Sequence, residues 1–153
     1  MNSRTLRLIY NPYAGRRRIV NQLDEAIRIF QEGGYEVNIH RAKSPGDIQE
    51  VASQSGDVDC LVIAGGDGSI HHAVNGLVRL PAELRPPLGI LPVGTANDLA
   101  FALGIPKGIP AACEAIVRGR TMEMYVGSVN DRHFVHVAPA GLLPEVSPSP
   151  GAP

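Results

Sequence analysis

A chain of 153 residues with 44% hydrophobic and 19% charged residues has apolar material for one core, so a single compact unit is the default. A formal net charge of −1 excludes the basic footprint of a general nucleic-acid binder. Cys60 and Cys113 have no Cys or His nearby at zinc-ligand spacing and read as small core residues of a reducing compartment; with no leader-like or membrane-spanning apolar run, the chain is read as cytoplasmic.

Strand-like and helix-like segments alternate along the chain. A strand is predicted over Thr5–Tyr10, and Ile19, Val20, Leu23, Ala26, Ile27 and Phe30 then mark an amphipathic helix that stops at Gly33 and Gly34. A second strand covers Tyr35–His40, and Ser44-Pro45-Gly46-Asp47 turns into a short helix reaching Val51. The β-branched run Val58–Ala64 has the character of a buried parallel strand, with a helix from Ser69 to Arg79 and a loop from Pro81 to Pro87. A fourth strand at Leu88–Leu91 leads to a helix opened by Thr95 and carrying Leu99, Ala100 and Leu103, with Gly104 as its stop. Pro110 suits the first turn of a helix over Ala111–Arg118, ended by Gly119. Met122–Val129 and His133–Ala138 then read as a hairpin around Asn130-Asp131. The fold expected is α/β over residues 1–120, an open, mostly parallel sheet with flanking helices. Strands follow over 121–143, and a Pro-rich tail, 144–153, has little to bury and is expected to be disordered or extended.

Two glycine-marked turns stand where a strand passes into a helix: Gly65-Gly66-Asp67-Gly68-Ser69 and Pro92-Val93-Gly94-Thr95-Ala96-Asn97-Asp98. Glycines permit positive φ and close main-chain approach, and the following helix end offers unpaired N–H groups, so an anion is the natural occupant. Either turn alone also suits a tight connection with no ligand. Thr95 and Asp98 fit a capping box, whereas Asp67 is expected either to cap its helix or to hold a metal or polar ligand group. Two such turns on one sheet make a crevice at its carboxyl edge. Arg16, Arg17 and Arg18 are expected to begin the first helix, where cations oppose the dipole unless an anion sits among them; a solvated basic stretch is the alternative.

The ordered set Asn11-Pro12-Tyr13-Ala14-Gly15, Gly65-Gly66-Asp67-Gly68-Ser69 with Val74-Asn75-Gly76-Leu77, and Leu91-Pro92-Val93-Gly94-Thr95-Ala96-Asn97-Asp98-Leu99-Ala100 resembles the signature of the diacylglycerol kinase catalytic domain. That family includes bacterial lipid kinases and sphingosine kinases, and NAD kinase and phosphofructokinase share its fold more distantly. The resemblance implies transfer of the ATP γ-phosphoryl group to a lipid hydroxyl, with Mg²⁺. It assigns Gly65, Gly66, Gly68 and Ser69 to a nucleotide-phosphate loop, with Asp67 the acidic, catalytic and metal-binding candidate. Asn11 falls beside the nucleotide, Gly94, Thr95 and Asn97 form a second phosphate loop, and Arg16, Arg17 and Arg18 are candidates for phosphate or lipid head-group contact.

The family's segment matching Phe134–Ala138 and Gly141–Val146 enters a second, mainly β lobe that supplies the aspartate base and the lipid-facing surface. The chain is therefore expected to be a first lobe that binds nucleotide without turnover on its own, with lipid substrate at a membrane surface engaged only when the second lobe is present. A non-catalytic nucleotide-binding remnant and an NAD kinase-like enzyme are the alternatives. A redox Rossmann domain is disfavoured because its glycine fingerprint belongs after the first strand, where Asn11–Gly15 stands. The chain departs from the family in carrying His71-His72 where Asn-Glu is usual, which removes a negative charge beside the nucleotide site. Adjacent helical residues point about 100° apart, so the two histidines do not form a natural metal pair.

Overall fold

The computed structural model describes residues 3–136; the predicted tail and the strand residues expected beyond His136 lie outside them. Four parallel strands, β1 (Arg4–Tyr10), β2 (Tyr35–Arg41), β3 (Cys60–Gly65) and β4 (Leu88–Pro92), form one sheet in the order β2-β1-β3-β4. Every residue of β3 is buried, as expected of a central strand covered on both faces. The helices α1 (Arg18–Glu32) and α5 (Ile109–Arg118) bury Phe30, Ile19, Ala112 and Cys113 against Leu6, Leu8 and Val62 on one face. On the other face α2 (Pro45–Ser53) and α3 (Asp67–Leu77) pack Ile48, Ala52, Ile70 and Val74 against Ile9, Leu61 and Ile63.

The chain runs from β1 outward to β2 and then crosses to β3 on the other side of β1. The connections after β1 and β3 therefore diverge at their carboxyl ends, which is the topological switch point where open α/β sheets leave a crevice.

Local chemistry accounts for the element ends. The Ser44 hydroxyl accepts the Asp47 N–H at 3.2 Å and caps α2, with Pro45 at its first position. The short helix α4 (Asp98–Ala102) ends on Gly104 at φ 75, with Gly104 N–H to Phe101 O and Ile105 N–H to Ala100 O, a Schellman closure. The strands β5 (Tyr125–Val129) and β6 (Arg132–His136) pair antiparallel around Asn130 and Asp131, at φ 50 and 65, the left-handed pair that a two-residue hairpin turn requires.

Three local expectations are corrected. The α4 helix begins at Asp98 rather than Thr95, because Asn97 adopts a left-handed conformation (φ 54) that a right-handed helix cannot include. Thr95 therefore caps nothing. Arg16 and Arg17 do not begin the first helix: Gly15, Arg16 and Arg17 lie at φ 53, 58 and 64 in a left-handed turn, and α1 starts at Arg18. Gly65, Gly66 and Gly68 are not at positive φ; at the first two, crowding is what excludes a side chain.

Candidate functional site

A cleft of about 530 Å³ opens at the carboxyl edge of the sheet, and residues from the connections after all four strands line it. Asn11, Tyr13, Ala14 and Gly15 follow β1; Ala42, Lys43, Ser44, Pro45 and Ile48 follow β2; Gly66, Gly68, Ser69 and His72 follow β3; Gly94 and Thr95 follow β4. The sheet topology thus explains why residues so far apart in sequence converge.

The two glycine turns touch through their backbones. A side chain on Gly94 would collide with the Cα of Gly66, and one on Gly65 would lie 2.5 Å from Ser69 Cβ. The Val93 N–H donates to Gly65 O at 3.2 Å. Asn97 closes the second turn on itself, its Oδ1 accepting the Gly94 N–H at 2.9 Å and its Nδ2 donating to Gly94 O at 2.8 Å. Arg18 donates to the same carbonyl at 3.0 Å. Asn11 ties in the first connection: Oδ1 accepts the Tyr13 N–H at 3.0 Å, and Nδ2 donates to Ser69 Oγ at 3.4 Å.

Gly68 differs from its neighbours. A Cβ there would meet nothing within 4 Å, its φ is not positive, and it lies on the cleft wall in the first turn of α3. Neither packing nor backbone geometry within the described residues asks for glycine at this position. The space that a side chain would take belongs to the cleft. The α3 N-terminus has Gly66 as its N-cap and no side-chain cap, so its first amides are available to an anion.

Asp67 does not line the cleft. Its carboxylate reaches across to α4, where Oδ2 accepts the Asp98 N–H at 2.9 Å and Oδ1 the Leu99 N–H at 3.0 Å. It caps a helix, but the one after the other turn. Among the described residues no three His, Cys, Asp or Glu side chains converge on a common point.

Of the residues singled out in the sequence, Asn11, Gly66, Gly68, Ser69, Gly94 and Thr95 line the cleft, while Gly65, Asp67, Asn97 and Arg18 brace its turns from behind. Arg16 and Arg17 are exposed next to Gly15 and do not line it. Apart from Ser44, which the family resemblance puts near the adenine pocket in place of a usual threonine, the β2–α2 wall, Ala42 to Ile48, and Tyr13 were not among the candidates. The wall's one glycine, Gly46, lies inside the first turn of α2 rather than at the strand end; its signal is the parallel topology, which puts the carboxyl end of β2 beside that of β1. There the Asp47 carboxylate fixes the turn, bonding His40 Nε2 at 2.8 Å and accepting the Lys43 N–H at 2.9 Å. These bonds, that from His40 foremost, hold its pKa below the ordinary carboxylate value.

The sequence model of the diacylglycerol kinase catalytic domain matches residues 5–129. The chain belongs to the diacylglycerol kinase catalytic domain family. It is 38% identical over 144 residues to a diacylglycerol kinase of Bacillus subtilis (strain 168), a match covering 92% of this chain and 47% of the relative. It is 35% identical over 143 residues to a diacylglycerol kinase of Staphylococcus aureus, covering 92% and 45%. A crystal structure of a diacylglycerol kinase from Bacillus anthracis superposes with a TM-score of 0.78 at 30% identity, over 88% of this chain and 46% of that one. The chain thus spans about half the length of the curated relatives it matches. Within the family match lie both glycine turns, the Asn11 connection and all of the parallel sheet except Arg4. No helix among the described residues is long and apolar enough to cross a membrane.

Proposed function

We propose that this chain is the nucleotide-binding lobe of an ATP-dependent lipid kinase, which transfers the γ-phosphoryl group to the hydroxyl of a lipid such as diacylglycerol. The observation that carries the reading is the empty space over Gly68, beside the uncapped α3 amides and in a cleft of about 530 Å³. That volume lies within the range of small-molecule and cofactor sites. The residues present therefore fit the phosphates of ATP. The amides at Gly68 and Ser69 and the Thr95 hydroxyl take up phosphate oxygens, and Asn11 holds Ser69 in place. The nucleoside extends toward Tyr13.

A protein-held Mg²⁺ fits less well at Asp67, since both its oxygens already accept amides. Bound together with the nucleotide, Mg²⁺ would supply neutralising charge to the phosphates. In this reading Asp67 is a positioning residue that keeps the second turn open against the first. Phosphoryl transfer rests on positioning and charge compensation, and this lobe contributes those for the donor. The acceptor hydroxyl, its base and peripheral contact with a membrane belong to the remainder of a protein of the relatives' length.

The test is titration of the 153-residue chain with ATP and ADP, followed by calorimetry and amide chemical shifts. Shifts at residues 65–69 and 94–97 are expected, without turnover of diacylglycerol in mixed micelles. Millimolar nucleotide that leaves those amides unmoved overturns the phosphate site; lipid phosphorylation by the isolated chain overturns the division of labour.

A further inference from the structure

We propose that Lys43 and His72, on different walls of the cleft, bind the phosphate chain directly and supply cationic contacts to it. This rests on the nucleotide reading above and adds to it which side chains neutralise the anion.

Four observations converge. Both residues line the cleft, and among the described residues no Asp or Glu does. The ion pairs among the described residues join Arg7 to Asp57, Arg28 to Glu25 and Glu32, and His40 to Asp47; neither Lys43 nor His72 is in one, although the Lys43 charge acts on the nearby Asp47 carboxylate from a longer distance. The main chain of Lys43 is fixed by the Asp47 carboxylate, which is itself engaged by His40. His72 lies three residues beyond Ser69 on α3, on the helical face that also bears the glycine turn's serine.

The surroundings of His72 make a bound anion the natural source of its compensation. On its own helix the His71 ring lies 5.7 Å away; His71 is held below the ordinary imidazole value by burial first, then by His72 and by Arg132 of β6. Across the cleft stands Lys43. The nearby acids are committed elsewhere, Asp47 to His40 and the Lys43 amide, and Asp67 to the α4 amides. A phosphate chain between the two walls supplies the opposite charge that both side chains lack.

The test uses the 153-residue chain with inorganic pyrophosphate, ATP and adenosine as probes, measured by calorimetry from pH 6 to pH 8.5. Lys43→Gln is expected to weaken pyrophosphate and ATP roughly tenfold across the range, the scale of one charge-assisted hydrogen bond. His72→Gln should weaken them by a similar factor at pH 6. Comparing variant with wild type at each pH cancels the ligand's own titration. His72→Asn repeats the arm should the glutamine variant fold poorly, as judged by circular dichroism. Adenosine should bind all the proteins alike.

Folded variants that bind pyrophosphate and ATP as tightly as wild type at pH 6 overturn this inference and leave the nucleotide reading standing. Equal losses for adenosine also overturn it, since the effect would then be structural. Wild type that binds neither phosphate probe overturns both.

Discussion

Asp67 and Leu99 stand 32 residues apart in sequence, yet the Leu99 amide donates to the Asp67 carboxylate at 3.0 Å. With the neighbouring bond from Asp98, the first glycine turn caps the helix that follows the second. The two turns are therefore one mechanical unit, and the acidic residue between the glycines acts on the cleft through the backbone of its neighbour.

Asp67→Asn replaces one accepting oxygen with an NH₂ group that faces an amide N–H. The expected loss of stability is about 1–2 kcal/mol, the range for a lost helix cap, together with weaker nucleotide binding as the second turn shifts. Calorimetry with Mg-ATP and with ATP in chelator separates the two roles. A positioning role predicts the same fractional loss in both; a loss confined to Mg-ATP would make Asp67 a metal ligand.

Gly68→Ala adds a methyl group where the protein offers no clash. In the first turn of a helix it should leave the melting temperature unchanged or raise it, by up to about 1 kcal/mol of stability. Nucleotide affinity should nevertheless fall, because the methyl group enters the space proposed for phosphate. A variant that is as stable as wild type and binds ATP equally well would show that this space is not used.

Arg17→Gly removes the Cβ penalty of a left-handed residue at φ 64. Relief of a left-handed conformation should stabilise the fold by about 1 kcal/mol. Its effect on ATP affinity then reports on the guanidinium alone: a more stable protein with weaker ATP binding assigns Arg17 to phosphate, and unchanged affinity assigns it to solvent.

Burial pushes Cys60 up to about 11 and Cys113 up to about 12. Thiols whose pKa is raised on folding contribute stability that is fully present below the unfolded value of about 8.5 and lost as pH rises toward the folded values. Denaturant midpoints should hold from pH 7 to about 8.5 and then decline. A Cys60→Ala, Cys113→Ala double variant should decline less steeply, and native wild type should resist thiol reagents at pH 7.5.

The sheet was legible because β3 is apolar throughout and the glycine turns mark where strands end, two signals that survive without tertiary information. The cleft was legible only where it is built from glycine and its neighbours. Lys43 and Ser44 carry no such mark, since their place at the site comes from β2 lying beside β1. The role of Asp67 was hidden for a related reason: local sequence suggests that a carboxylate at a helix start serves that helix, and only the approach of Gly66 to Gly94 brings another helix end within its reach. Asn97 misled in a third way, its left-handed backbone delaying a helix that the Thr95 and Asp98 capping pattern starts earlier.

The far end of α3 grips the hairpin. Asn75 behaves as a strand partner, its Oδ1 accepting the His133 N–H and its Nδ2 donating to His133 O, both at 2.8 Å. Asn75 lies eight residues from Asp67, about 12 Å along the helix axis at 1.5 Å per residue. The helix is thus a crankshaft, with the phosphate turn on one journal and the hairpin on another. Any swing of the hairpin, and of chain continuing beyond it, that preserves the Asn75 clamp must turn α3 against α2 and be felt at Gly66 and Gly68.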